Sequence, residues 1–183
     1  LARAVASPDN PLTARVIVNR VWQWHFGTGL VPTSSNFGTL GDRPSHPQLL
    51  DYLAATFIES GWSIKDLHRR IMASETYRQR SKLIEKAAII DPQNRMLWRF
   101  APQRLDFEAT RDALLAVSGQ LDRRRGGRSV DLLTQPYSTR RTVYGFIDRL
   151  SPPKIFRDFD MPAADASIGV RSTTTVPQQA LFL

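Results

Sequence analysis

Residues 10–27 have the sequence NPLTARVIVNRVWQWHFG, which predicts a long helix at the centre of the fold. Asn10 suits the N-cap, Pro11 suits the first turn and Gly27 suits a C-terminal stop. One broad apolar stripe is expected along this helix, made of Ile17, Val18, Val21, Trp22 and Trp24. We therefore expect the helix to be largely buried.

Further helix signals follow along the chain. Ser45 and Pro47 predict the start of a second helix that Gly61 ends, and Ser63 predicts the cap of a third. The strongest later helix is expected over residues 104–121. Its predicted buried face consists of Leu105, Ala109, Leu114, Val117 and Leu121.

Strand signals are few, since only residues 140–147 allow a short strand or hairpin arm. The sequence therefore predicts a mainly α fold, an irregular multi-helix bundle with long loops and at most a small β-hairpin. We expect residues 1–183 to form a single helical domain excised from a larger protein. Residues 151–176 lack periodicity and are expected to be extended or partly ordered. The helix that begins near Pro177 is expected to be truncated.

Composition narrows the classes of function. The chain has no cysteine, which excludes disulfides, thiolate catalysis and covalent haem attachment within these residues. No apolar run reaches the roughly 18 to 20 residues that span a bilayer. The net charge of +8 comes from 21 Arg and 4 Lys. Arginine forks bind phosphate, sulfate and carboxylate bidentately, so this charge favours an acidic partner, although a GC-rich genome produces the same bias.

The three histidines, His25, His46 and His68, lack the spacing that brings two imidazoles to one helix face. No metal or other cofactor is therefore predicted within the chain. His25 and His68, or His46 and Asp51, would meet only if the tertiary fold brought them together.

Two carboxylates, Glu108 and Asp112, share one face of the later predicted helix. With His46 they are the candidates for acid–base catalysis. The competing interpretation is a structural ladder of Glu108 with Arg104 and Arg111. No phosphate-loop, dinucleotide-binding or nucleophile-elbow motif occurs, so no catalytic motif supports an enzyme.

A polar stripe runs along the first predicted helix. Buried amides need partners, so Asn19 and Gln23 are expected to bond each other or to hold a loop. A converging polar cluster is a further hypothesis, made of Asn19, Arg20, Gln23, Arg104 and Arg111.

An arginine-rich loop, RRRGGR at residues 123–128, is the sharpest electrostatic feature. The candidate anion-binding residues are Arg123, Arg124, Arg125, Arg128, Arg140 and Arg141. Such a set suits an anionic polymer, but charge runs are more often solvated, mobile loops with no specific partner. Nucleic acid is the least favoured polyanion, because no helix-turn-helix or aromatic-interleaved basic motif accompanies the charge.

Short motifs across nearly the whole chain resemble the planctomycete-type C-terminal domain of unknown function numbered fifteen fifty-three. The residues that carry the resemblance are Asn10–Arg15, Asn19–Gln23, Phe26–Gly27, Pro44–Pro47, Gly61–Lys65, Tyr77–Gln79, Asp91–Pro92, Asn94–Arg95, Leu97–Arg99, Arg104–Leu105, Glu108, Arg111–Ala113 and Val176–Leu181.

This resemblance implies a context more than an activity. Such domains are found in large exported proteins that carry a companion domain and a cytochrome c-like domain, with haem elsewhere in the parent protein. The resemblance also implies an extracytoplasmic location, in the periplasm or cell envelope, and a link to the breakdown of polysaccharide.

Three hypotheses follow. The first is a non-catalytic accessory module that packs against neighbouring domains of its parent or contacts acidic polysaccharide. The second is a carbohydrate-active enzyme that uses Glu108, Asp112 and His46. The third is a nucleic-acid-binding domain that uses the arginine-rich loop.

Overall fold

A computed structural model describes residues 1–163 and 167–182. The chain divides into two compact units, Leu1–Gln103 and Arg104–Leu183, here called unit 1 and unit 2. The described residues are mainly helical with long loops, as the sequence predicts. The single domain expected over residues 1–183 stays a prediction. No helix in the described part of the chain is both long and apolar enough to cross a membrane.

Unit 1 is built around one long helix. Its helices are α1 (Ala2–Val5), α2 (Thr13–Phe26), α3 (Pro47–Glu59), α4 (Ile64–Ala73) and α5 (Glu85–Ile90). Helix α2 packs against α3 and α4. The buried apolar core comes mainly from these three helices, and Leu30 and Val31 complete it from the loop after α2.

Helix α2 ends at Gly27 as its sequence predicts, but it begins at Thr13, with Leu12 rather than Asn10 at the N-cap position. The Asn10 side chain accepts hydrogen bonds from the backbone N–H groups of Leu12 (3.0 Å) and Thr13 (3.3 Å). Gly27 ends the helix with φ of 82°, a conformation that favours glycine. The predicted apolar stripe is wrong at Trp24, which is 69% exposed. Asn19 and Gln23 are buried on this helix instead.

Helices α3 and α4 are joined by a tight turn at Gly61, where φ is 70°. The predicted cap of α4 is confirmed, because the Ser63 side chain accepts a hydrogen bond from the Asp66 backbone. The predicted cap of α3 is wrong. Ser45 turns its hydroxyl to the carbonyl of Leu30 (3.3 Å), and α3 begins at Pro47 without a side-chain cap.

Unit 2 contains α6 (Phe107–Val117), a short 3-10 helix (Thr142–Tyr144), α7 (Lys154–Asp158) and α8 (Pro177–Phe182). Its core gathers around Phe107, which is fully buried against Phe156 and Phe159, with ring centroids 5.1 and 5.4 Å away. Leu132 completes this cluster.

The predicted buried face of α6 is wrong. Leu105, Leu114 and Val117 are 57%, 53% and 90% exposed. The aromatic side chains of Phe156, in α7, and of Phe159 cover Phe107 in the first turn of α6 but leave Leu114 and Val117 exposed. Residues 151–176, expected to be extended or partly ordered, include the helix α7 that completes the core, while residues 164–166 of this segment lie outside the described part of the chain.

No hairpin forms at residues 140–147 in the described part of the chain. Two isolated parallel β-bridges, Asp122 with Arg140 and Val130 with Gly145, instead join this segment to residues on either side of the arginine-rich loop.

Candidate functional site

The arginine-rich loop of unit 2 is held in shape by Arg140. Its guanidinium donates hydrogen bonds to the carbonyls of Gly126 (2.5 Å), Arg128 (3.2 Å) and Arg124 (3.3 Å). It also lies 4.1 Å from the ring centre of Tyr144, in a cation–π contact. One predicted anion-binding residue is thus occupied by the loop's own backbone.

Tyr144 and the two bridges add further attachments. The Gly126 backbone donates to the Tyr144 hydroxyl (2.9 Å), and the Asp122 backbone donates to the carbonyl of Thr139 (2.9 Å). Gly126 and Gly127 take φ of 73° and 90°, which lets the chain reverse between the arginines. The loop is therefore folded onto the segment before and after Arg140.

Helix α6 in turn fixes that segment. Asp112 Oδ1 accepts from both the backbone and the hydroxyl of Thr142, each at 2.7 Å. The neighbouring Arg111 donates to the carbonyls of Ser138 and Arg140 and to the Thr142 hydroxyl. Burial lowers the pKa of Arg111, and the adjacent carboxylate of Asp112 opposes this effect. Asp112 and Arg111 therefore position Arg140 through the backbone.

The six predicted anion-binding arginines divide into two groups. Arg124 forms an ion pair with Asp122 (2.7 Å), and the hydrogen bonds that Arg124 donates lower the pKa of Asp122 to about 2. Arg141 forms an ion pair with Asp112 (3.4 Å). Arg140 is held as described above. In the second group the guanidinium groups make no hydrogen bond or ion pair within residues 1–163 and 167–182, and its members are exposed: Arg123, Arg125 and Arg128.

Glu108 has a different partner from the one expected. It pairs with Arg171, at 3.1 Å between Arg171 Nη1 and Glu108 Oε2, and the same arginine donates to the carbonyls of Phe159 and Asp160. The predicted ladder with Arg104 and Arg111 is wrong, because partners distant in sequence satisfy these groups. Arg104, for example, donates to the carbonyl of Thr174 (2.7 Å).

The remaining predicted site residues lie in unit 1. Of the two expected arrangements, Asn19 adopts the one in which its amide holds a loop. It accepts a hydrogen bond from the Val31 backbone N–H (2.8 Å) and donates one to the Val31 carbonyl (3.0 Å). Arg20 is exposed. His46 Nδ1 lies 3.0 Å from the Ser45 hydroxyl at the start of α3. The residues of the predicted polar cluster are thus divided between the two units: Asn19, Arg20 and Gln23 belong to unit 1, and Arg104 and Arg111 belong to unit 2.

His25 and His68 meet across α2 and α4, with 2.7 Å between His25 Nε2 and His68 Nδ1. Burial and the neighbouring His68 lower the pKa of His25. The Tyr77 ring lies edge-on to His25, 5.3 Å between centroids. In the described part of the chain no three His, Asp or Glu side chains are grouped so that they could hold a metal ion.

Sequence reasoning missed the residues that shape the arginine-rich loop. Tyr144, Thr142 and Asp122 have no distinctive spacing, and only the tertiary pairing of residues 122–130 with 138–145 gives them a role. The signal that was present is Gly126-Gly127 between arginines, which indicates a turn rather than an extended charged tail.

Comparison with known families covers the entire chain. Residues 1–183 match the model of PSD1, described as "Protein of unknown function (DUF1553)". The chain belongs to this family. No curated protein and no solved structure matches it. Membership confirms the domain of unknown function that the sequence motifs indicate, and assigns no activity to any of the residues above.

Proposed function

We propose that the chain is a non-catalytic accessory module of a larger exported, cytochrome-associated protein, and that it contacts acidic polysaccharide through the arginine-rich loop. The observation that carries this proposal is that the side chains of Arg123, Arg125 and Arg128 are exposed, and their guanidinium groups have no partner in the described part of the chain. They lie on a loop held by Arg140 and Tyr144.

A folded loop binds a polymer better than a mobile one. Ordering a long side chain or a loop on binding costs free energy, and a loop that is already in shape avoids part of this cost. The two glycines and the Arg140 bonds keep three guanidinium groups on a short, fixed backbone. Each guanidinium suits a sulfate or carboxylate group, to which it donates two parallel hydrogen bonds.

The accessory role is supported by the state of the predicted catalytic carboxylates. Asp112 accepts hydrogen bonds from Thr142 and Arg141, and Glu108 is paired with Arg171. Both groups hold the backbone of unit 2 in place. The exported location and the haem elsewhere in the parent protein rest on the resemblance alone.

The test is binding of the purified chain to heparin, neutral dextran and duplex DNA across a salt series. We expect selective heparin binding that persists near physiological salt. Equal, salt-labile binding to heparin and DNA would mean that the charge acts non-specifically, and tighter binding to DNA would favour the nucleic-acid alternative.

A matched pair of triple variants isolates the loop. The variant Arg123→Ala, Arg125→Ala, Arg128→Ala should lose most heparin affinity. The control Lys65→Ala, Arg69→Ala, Lys86→Ala removes the same charge from exposed positions of unit 1. This control should keep the heparin affinity of the parent chain. Equal losses in the two variants would contradict a specific role of the loop.

A further inference from the structure

Unit 1 has an open surface cavity of about 570 Å³. Its lining residues are Thr28, Pro32, Asp42, Arg43, Gln93 and Arg95. A smaller cavity of about 90 Å³ shares four of these residues and is also lined by Trp22, Phe26 and Leu30 of the core. Polar groups thus surround an opening that leads to an apolar surface.

The charged groups of this cavity have no partners of their own. Arg43 and Arg95 are exposed, and neither guanidinium makes a hydrogen bond or ion pair in the described part of the chain. The same holds for the side chains of Asp42 and Gln93. The cavity therefore carries a net charge of about +1 and several unused donors and acceptors.

One wall of the cavity is a loop closed by its own hydrogen bonds. The Thr33 hydroxyl donates to the carbonyl of Asn36 (3.1 Å) and accepts from the backbone of Asp42 (2.9 Å). Only glycine fits at Gly41, because a Cβ there would lie 1.9 Å from the Asn36 carbonyl oxygen. These contacts fix the backbone that carries Asp42 and Arg43.

The opposite wall is fixed in a similar way. The Asp91 carboxylate accepts from the backbone of Arg95 (3.0 Å), and the Asn94 amide bonds both the N–H and the carbonyl of Arg99. Leu97 is held at φ of 55°, which is costly for a residue with a branched side chain. The hydrogen bonds of Asp91 and Asn94 thus support the loop that carries Gln93 and Arg95.

We propose that this cavity binds a sugar acid, a hydroxylated ring of monosaccharide size that carries one carboxylate. Arg43 and Arg95 would bind the carboxylate, whose planar shape matches a guanidinium. Asp42 accepts hydrogen bonds only, so it selects hydroxyl groups, and Gln93 suits them as donor and acceptor. Because Asp42 reduces the net charge to about +1, a monoanion is favoured over a dianion such as phosphate. This site lies in unit 1 and does not depend on the arginine-rich loop.

The experiment is a titration of the full chain with glucuronate, glucose and inorganic phosphate in turn. Binding is detected by calorimetry or by changes in NMR chemical shifts. We expect saturable glucuronate binding, with glucose and phosphate each at least about tenfold weaker. Arg43→Ala and Arg95→Ala should each weaken glucuronate binding about tenfold, and Arg95→Lys should weaken it as well because the fork is lost. Arg69→Ala, an exposed control, should bind as the parent chain does.

Three results would overturn the proposal. They are the absence of saturable glucuronate binding, unchanged binding in the Arg43→Ala, Arg95→Ala double variant, and phosphate binding as tight as glucuronate binding. Thermal unfolding of each variant shows that a loss of binding is not a loss of fold. The triple variant of Arg123, Arg125 and Arg128 should bind glucuronate normally, so this site and the heparin site can fail separately.

Discussion

Asn19 joins the middle of α2 to the backbone of Val31 by two buried hydrogen bonds. We expect Asn19→Ala to lower the free energy of unfolding by about 2–4 kcal/mol, because the N–H and the carbonyl of Val31 would lose their partner. Urea titration measures this loss. Arg20→Ala, at the exposed neighbouring position, should change stability by less than about 0.5 kcal/mol. A similar small change in Asn19→Ala would contradict the role of the amide.

The His25–His68 pair makes stability depend on pH. The lowered pKa of His25 means that the folded protein takes up a proton there less readily than the unfolded chain. The contribution of His25 is therefore complete above its unfolded pKa of about 6.5 and is lost as the pH falls through the lower folded value. The charged form is opposed by His68, while Tyr77 lies against the same ring.

The measurement is urea unfolding of the parent chain and of His25→Gln at pH 7.5 and pH 5.5. We expect the parent to lose more stability than the variant between these two values. Carboxylates titrate in both proteins, so only the difference between the two proteins reports on His25. Equal losses would show that the pair does not sense pH.

At the scale of elements, the arginine-rich loop depends on the geometry of Arg140 as well as on its charge. We expect Arg140→Lys to increase amide hydrogen exchange at residues 124–129 and to weaken heparin binding several-fold, because an ammonium group cannot bond three carbonyls from one planar fork. Arg125→Lys, which also keeps the charge, should leave exchange in the loop unchanged. Unaltered exchange in Arg140→Lys would show that the loop keeps its shape without the fork.

Helix α7 anchors the second core through Phe156, which is 1% exposed. We expect Phe156→Ala to destabilise unit 2 by about 3–5 kcal/mol, because a large aromatic side chain would leave a cavity beside Phe107. Thermal or chemical unfolding measures the loss. Leu150→Ala, at a position that is 96% exposed, is the control and should have little effect. If both variants were equally stable, α7 would not be part of the core.

Local signals predicted several helix ends. Gly27, Gly61 and Ser63 act within one helical turn, so their effect on a helix end is visible in sequence. Phe107 was overlooked as a core residue, because the side chains that cover it, Phe156 and Phe159, come from a segment distant in sequence. Periodicity alone places an apolar stripe on a helix but does not say how much of that stripe will be covered.

At the scale of the whole molecule, each unit has its own buried apolar cluster. We expect a fragment of residues 1–103 to unfold cooperatively with a helical circular-dichroism spectrum, since the core of α2, α3 and α4 is complete within it. A spectrum typical of a disordered chain would contradict this expectation. The full chain, measured in the same buffer, is the reference.

The candidate sites were predicted only in part. The sequence indicated the charge of residues 123–128, but it gave no way to separate the arginines that hold the loop from those that are exposed on it. Neither Arg43 nor Arg95 was predicted as a binding residue, because the two walls of their cavity lie far apart in sequence. Loops without periodicity carry no signal for the partner that tertiary folding gives them.

The amide of Asn19 has a consequence beyond the core. Val31, which it clamps, lies between Leu30 and Pro32, and both of these residues line the cavities of unit 1. Gly29 approaches so closely that a Cβ there would meet the Asn19 amide at 2.7 Å. Any change that loosens this clamp would therefore deform the lining of the cavity, so the ligand affinity proposed for the cavity depends on the core beneath it.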